Sequence, residues 1–249
     1  MALPVESAVT GPERRTETPV LEASWLGVVE YQSAWSLQQR LWTERLEGAR
    51  VDSLVLLEHP PTYTLGRRAA ESDVVYRDDE LAARGISVFK IDRGGRATYH
   101  GPGQLVGYPI IALGERYDVL TYLRRLEEAL IKTARDLGVE AHRDPRHTGV
   151  WVGQDKIGAI GVKITRGITM HGFAFNLTTD LAMFEGIVPC GIADRGVTSV
   201  EALTQTRHSV RGVASLAARH LATLFGRTLA WVEAPAARDG ALGAAAGSR

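Results

Sequence analysis

The chain has 249 residues, with 29 lysines and arginines against 29 aspartates and glutamates, and one cysteine. A formal net charge of zero gives no global field for nucleic acid or anionic lipid, and no apolar run approaches the ~20 residues of a membrane span. A lone thiol, Cys190, excludes an internal disulfide, and the opening MALPVESAVTGPERRTETP lacks the continuous apolar stretch of a secretory leader, so a reducing, cytoplasmic setting is expected.

Residues 1–20 are polar and rich in Pro, Gly and Thr, and 234–249 are low in complexity. Both read as flexible tails around one catalytic domain spanning 21–233. From Tyr31 to Glu47, Tyr31, Trp35, Leu41, Trp42 and Leu46 recur at helical spacing. Ser53–Glu58 is a short apolar run suited to a buried strand, stopped by His59-Pro60-Pro61. Ile86–Ile91 reads as a strand that feeds a glycine-rich stretch, RGGRATYHGPGQ, from Arg93 to Gln104, after which Leu105–Ile111 resumes the β pattern. Asp118–Leu137 is the clearest helix, with a stripe of Leu120, Leu123, Leu126, Leu130, Ala134 and Leu137. Gly149–Ile164 reads as two β segments around a turn at Gln154-Asp155, and His171–Leu177 as a further strand. An amphipathic helix, Ser209–Phe225, and a last strand in TLAWVE close the chain. Strands and helices mix without a regular βαβ rhythm. The expected fold class is therefore α+β with a mixed, mainly antiparallel sheet.

The glycine-rich stretch is neither a P-loop nor a dinucleotide fingerprint, since no Gly-Lys-Ser/Thr follows and the G-x-G-x-x-G spacing is absent. Its four glycines let a backbone come close to something. A turn-rich link between two strands would carry the same letters. Cys190 sits in IVPCGI, in a turn context between Pro189 and Gly191. A lone cysteine is more often a small packed hydrophobe than a nucleophile, and a thiol near pKa ~8.5 needs a cationic neighbour to react at neutral pH. Lys156 and Lys163 are seven apart, so a regular strand would send them to opposite faces and at most one to a site. His59, His100 and His171 each adjoin a Gly or Pro. No His/Cys/Asp/Glu group has metal-site spacing, so no metal is expected. A Cys-His dyad stays open on these grounds.

Four strings in order, RGGRATYHGPGQLVGYP, GVWVGQDKIGAIGVKI, HGFAFNL and VPCGI, resemble the lipoyl(octanoyl) transferases, which share a catalytic fold with the biotin- and lipoate-protein ligases. The resemblance runs from about Trp25 to the C-terminal helix. It implies transfer of an octanoyl group from octanoyl-acyl carrier protein to a lysine of lipoyl domains, those of 2-oxoacid dehydrogenases or the glycine-cleavage H protein. It implies no cofactor, a thioester on Cys190, and Lys156 lowering the thiol pKa. It also implies an acyl-binding set made of Arg93, Gly94, Gly95, Arg96, Ala97, Thr98, Tyr99 and His100, with Ala159, Ile160, Gly161, Gly172, Phe173 and Ala174. Three other readings are weighed against it. An ATP-dependent ligase would not need Pro-Cys-Gly, a cysteine thioesterase or peptidase would, and a silent carrier-binding module would use Cys190 only for packing.

Overall fold

The computed structural model describes residues 18–114, 116–188 and 195–235. In chain order the elements are β1 (Val20–Val28), α1 (Tyr31–Leu46), β2 (Asp52–Glu58), β3 (Thr62–Leu65), α2 (Asp78–Ala83), β4 (Ser87–Lys90), β5 (Ala97–His100) and β6 (Gln104–Ile110). Then follow α3 (Val119–Asp136), β7 (Val150–Val152), β8 (Asp155–Thr165), β9 (Ile168–Asn176), α4 (Val200–Thr204), α5 (Val210–Leu224) and β10 (Thr228–Trp231), with short 3-10 turns at Glu71–Asp73 and Leu181–Gly186.

Seven strands form a sheet in the order β10-β1-β2-β6-β9-β8-β7, and β4-β3-β5 form a second, smaller one. The β1–β10, β1–β2 and β3–β4 pairs are parallel and the rest antiparallel. This is the mixed, mostly antiparallel α+β arrangement expected from the sequence. Helices α3 and α5 cover one face of the large sheet, and α1 packs on the other. A third cluster, built on Tyr63, Tyr99 and Phe184, sits against the small sheet.

Helix α3 forms because Asp118 caps it, its carboxylate accepting the amides of Leu120 and Thr121 at 3.1 and 2.9 Å. Its buried stripe is Tyr122, Leu126, Ala129, Leu130 and Ala134, a 3.6-residue period. Leu120, expected in that stripe, lies in the first turn and is exposed. Helix α5 is capped by Ser209 and presents Ala214, Ala217 and Ala218, small residues that let it lie close to α3. Strand β1 begins at Val20, and the Pro19 carbonyl accepts the Thr228 amide, so ordered pairing starts inside the segment assigned to the N-terminal tail. The turn between β7 and β8 falls at Gly153-Gln154, one residue earlier than expected, and Asp155 already belongs to β8.

Candidate acyl-transfer site

Lys156 and Lys163 both lie on β8, and a bulge decides where they point. Val150 pairs with Gly158 while Trp151 pairs with Lys156, leaving Ile157 as an extra residue in the ladder. Ile157 is in the core under α3, and a Cβ on Gly158 would lie 3.3 Å from Leu130 of α3, so both face the same way. The alternation is thereby reset, and Lys156, Ala159, Gly161 and Lys163 share the opposite face. The expectation that the two lysines diverge is corrected: the count of seven is odd, but the bulge removes one step of phase.

That face meets the glycine-rich stretch. The Gly94 amide donates to the Val162 carbonyl at 2.9 Å, and a Cβ on Gly161 would come within 2.9 Å of Arg93 Cδ and 3.0 Å of the Gly94 carbonyl oxygen. The loop can lie on β8 only because position 161 has no side chain. Directly across the ladder, Gly161 pairs with Gly172 and Ala159 with Ala174, giving a floor of small residues. Ile160 and Phe173 pair with each other on the far side, packed under α3 and α5. The structure therefore gathers Ala159, Gly161, Gly172 and Ala174, while Ile160 and Phe173 join that set only through their main chain.

Of the glycine-rich stretch, Arg93 to Gly95 is a turn and Ala97–His100 is β5 of the small sheet. Arg93 is buried and donates through Nη2 to both the carbonyl and the hydroxyl of Thr64, at 2.7 and 2.8 Å. Arg96 is ion-paired to the buried Asp73, whose carboxyl that guanidinium holds below its usual range. Ala97 and Tyr99 point into the third cluster, and burial raises the Tyr99 phenol to about 12. Thr98 and His100 take the other side, where His100 stacks on Tyr31 at 6.1 Å and meets His59 at 5.7 Å.

The partners of these histidines fix their tautomers. His59 Nδ1 faces the Val29 carbonyl at 2.6 Å and must donate, so Nε2 accepts from the Tyr108 hydroxyl at 2.7 Å. Burial lowers His59 to about 4, against a small opposing pull from that carbonyl. Gln104 Nε2 donates to the Tyr99 carbonyl and to Asn176 Oδ1, leaving Gln104 Oε1 to accept His100 Nδ1–H at 2.9 Å. His100 is thus neutral, its pKa driven down by burial and then by His59, with its Nε2 lone pair 3.4 Å from the Thr64 hydroxyl. The chain of bonds continues. Asn176 Nδ2 donates to the Thr198 carbonyl at 3.0 Å, and the Thr198 amide donates to the Lys156 carbonyl at 3.0 Å. Buried polar links therefore connect the small sheet to the strand that bears Lys156.

His171 belongs to a separate anchor. It is buried, adopts a positive φ of 57°, and bonds Asp92 at 2.8 Å; Lys163 bonds the same carboxylate at 2.6 Å. Burial keeps His171 below its ordinary pKa despite Asp92, so the pair is a neutral imidazole on an ionised carboxylate. Asp92 immediately precedes Arg93, which makes this the stake at the entrance to the loop. Lys163 serves there and not beside Lys156.

Cys190 lies outside the described residues, but both of its flanks are fixed. Two residues before it, the Val188 amide donates to the Asp73 carbonyl at 2.8 Å, and Asp73 holds Arg96 of the glycine-rich stretch. Six residues after it, the Gly196 carbonyl accepts the Lys156 amide at 3.0 Å, in a parallel bridge between Lys156 and Val197. The sequence did not mark Tyr31, Tyr108, Asn176, Trp151 or Arg195 as site residues. For Tyr31, Tyr108, Asn176 and Arg195 the partners are 22 to 72 residues away, and no local pattern announces such pairs. Among the described residues, no group of three His, Cys, Asp or Glu side chains is placed to hold a metal ion, and no helix is long and apolar enough to cross a membrane.

Residues 30–222 match the lipoyl protein ligase A/B catalytic domain. The octanoyltransferase of Caldicellulosiruptor bescii is 46% identical over 213 residues, covering 84% of this chain and 93% of its own. That of Solibacter usitatus is 49% identical over 201 residues, covering 80% and 90%. Among solved structures, the bi-partite lipoate protein ligase of Thermoplasma acidophilum is similar with a TM-score of 0.70 at 18% identity, covering 87% of this chain and 88% of that one. Lipoate-protein ligase A bound with ATP gives 0.68 at 18% identity, covering 88% and 90%. At such identity the two structural likenesses speak for the fold alone.

Proposed function

The chain belongs to the octanoyltransferase family of acyltransferases, and on that premise we propose that it moves an octanoyl group from octanoyl-acyl carrier protein to a lysine of lipoyl domains through a thioester on Cys190. The acceptors are the lipoyl domains of 2-oxoacid dehydrogenases and the glycine-cleavage H protein. The observation that carries this reading is the pair of anchors around Cys190, one tied to the glycine-rich loop through Asp73 and Arg96, the other bonded to Lys156.

In the first step the Cys190 thiolate attacks the donor thioester carbon. The tetrahedral oxyanion collapses, the carbon–sulfur bond to the carrier breaks, and the Lys156 ammonium gives its proton to the departing thiolate. Exchange of one thioester for another is close to balanced. In the second step the acceptor amine, whose free pKa is ~10.4, attacks the Cys190 thioester while neutral Lys156 takes its proton. An amide forms and the Cys190 thiolate leaves. Thioester to amide runs downhill, so no nucleotide is consumed. Main-chain amides of the loop are the donors nearest to hand for the oxyanion. Burying about seven methylenes at ~0.8 kcal/mol each contributes roughly 5–6 kcal/mol, enough to favour a medium chain. The small-residue floor of Ala159, Gly161, Gly172 and Ala174 is the surface on which such a chain would lie.

The test is intact-protein mass spectrometry of the pure protein mixed with octanoyl-acyl carrier protein, without acceptor or nucleotide, beside Cys190→Ala. The expected result is a gain of one octanoyl group, absent in the variant and discharged by a lipoyl domain. In the same preparation Lys156→Ala should raise the pH midpoint of Cys190 alkylation. No adduct, with modification of the acceptor from free octanoate only when ATP is added, would make the protein a ligase.

A further inference from the structure

We propose that Trp151 and Arg195, anchored by Asp144, are positioning residues for Lys156; the proposal rests on the transferase reading above. A lysine carries four rotatable side-chain bonds, and a proton-transfer group displaced by an ångström loses much of its effect, so something must hold this ammonium in place. The cradle has two sides. Trp151 is the cross-strand partner of Lys156, 1% exposed, and the Lys156 Nζ lies 4.7 Å from the centroid of its ring. Beneath the stem is Gly149, held at a φ of 135° and so near that a Cβ there would sit 3.4 Å from Lys156 Cε. Its amide is fixed by the buried carboxylate of Glu127 at 3.0 Å. The indole carries a second cation, Arg195, whose guanidinium carbon lies 4.9 Å from the same ring centroid.

Two cations on one aromatic ring repel each other, and Asp144 is what makes the arrangement stable. Its carboxylate bonds Arg195 Nη1 at 2.6 Å, with both side chains about nine-tenths buried, and accepts the amides of Arg146 and His147 at 2.7 and 3.2 Å. Enclosure pushes the Asp144 pKa up, but the Arg146 amide and the Arg195 guanidinium outweigh it and hold the group at about 2. The carboxylate is therefore ionised wherever the enzyme works. The indole is itself pinned, since Nε1 donates to the His147 carbonyl at 3.2 Å, in the same turn that Asp144 organises. An aromatic face suits the task because its negative quadrupole attracts an ammonium electrostatically.

Arg195 has a second consequence. It is the first described residue after the Cys190 segment, and Val197, two residues on, bridges to Lys156. One guanidinium thus ties the exit of the nucleophile's segment to the platform on which the base rests.

The experiment is single-turnover acylation by octanoyl-acyl carrier protein, read by intact mass, for wild type, Trp151→Phe, Trp151→Leu and Arg195→Gln, each with a thermal melt. Trp151→Leu should form the Cys190 adduct about tenfold more slowly at an unchanged half-saturating donor concentration, and Trp151→Phe should recover to within about threefold of wild type. Arg195→Gln should slow acylation by a factor similar to Trp151→Leu. A folded Trp151→Leu that acylates at the wild-type rate overturns the proposal, as does Trp151→Phe being equally slow. If Trp151→Leu does not fold, Arg195→Gln decides on the same criterion. Absence of adduct in wild type would refute the transferase reading instead. The cradle is then judged by competitive acetylation of Lys156 relative to Lys163, a measurement that needs no donor. Trp151→Phe and Arg195→Gln should differ in that ratio by about threefold or more, and equal ratios matching wild type overturn it.

Discussion

At single positions the site is shaped as much by missing side chains as by those present. Gly172 is the sharpest case: a Cβ there would run into the Gly107 carbonyl oxygen and lie 2.6 Å from Pro109 Cδ on the neighbouring strand. These are backbone and ring atoms that cannot step aside, so Gly172→Ala should separate β6 from β9 and destabilise the protein by about 1–3 kcal/mol, seen as a melting temperature several degrees lower. A melt unchanged within a degree would show that the two strands can adapt. The four glycines of RGGRATYHGPGQ were legible as a place of close approach, and Gly161 and Gly172 entered only through the family resemblance. What approaches them was not legible. Gly161 meets Arg93, and Gly172 meets Gly107, across separations that only the folded sheet creates.

Among the elements, α1, α3 and α5 could be read from apolar periodicity because each buries one stripe, and β2, β6 and β9 from short apolar runs because both of their faces are buried. The small sheet was harder. Strand β3 is four residues after two prolines, and β5 is hidden inside the glycine-rich stretch, so neither is long enough to show alternation. The bulge at Ile157 and Gly158 was invisible for a different reason: its signal is a register shift against β7. The loop after β3 carries a prediction of its own. The amides of Arg67 and Arg68 donate to the Arg93 and Gly95 carbonyls at 3.0 and 3.1 Å, fixing these two exposed residues to the glycine-rich loop. Arg93, Arg96 and Arg143 are committed to partners within the chain, whereas Arg67 and Arg68 have no acid partner among the described residues. An acidic carrier would find them available. Changing both to glutamate should raise the donor KM at least severalfold and leave kcat nearly constant, with the effect shrinking in high salt. A donor KM insensitive to the change would place carrier docking elsewhere.

Over the whole molecule, three buried neutral histidines link folding to pH. His59 is held at about 4, against 6.5 for a free imidazole, and His100 and His171 are shifted in the same direction by burial. The unfolded chain therefore binds protons that the folded one refuses, and stability rises with pH through the interval from about 4 to 6.5. Below 6.5 each such group removes up to about 1.4 kcal/mol per pH unit; above it the effect vanishes. Urea midpoints should be level between pH 6.5 and 7.5 and clearly lower at pH 5.5. A flat profile down to 5.5 would mean that these imidazoles take up protons in the folded state. The segment containing Cys190 enters from Asp73, beside the small sheet, and leaves against Lys156 on the large one. For the proposed chemistry this makes assembly a licence for reactivity. A chain with only one sheet in place would hold only one end of that segment, and on the proposed chemistry a half-made copy would not capture the cell's activated acyl groups.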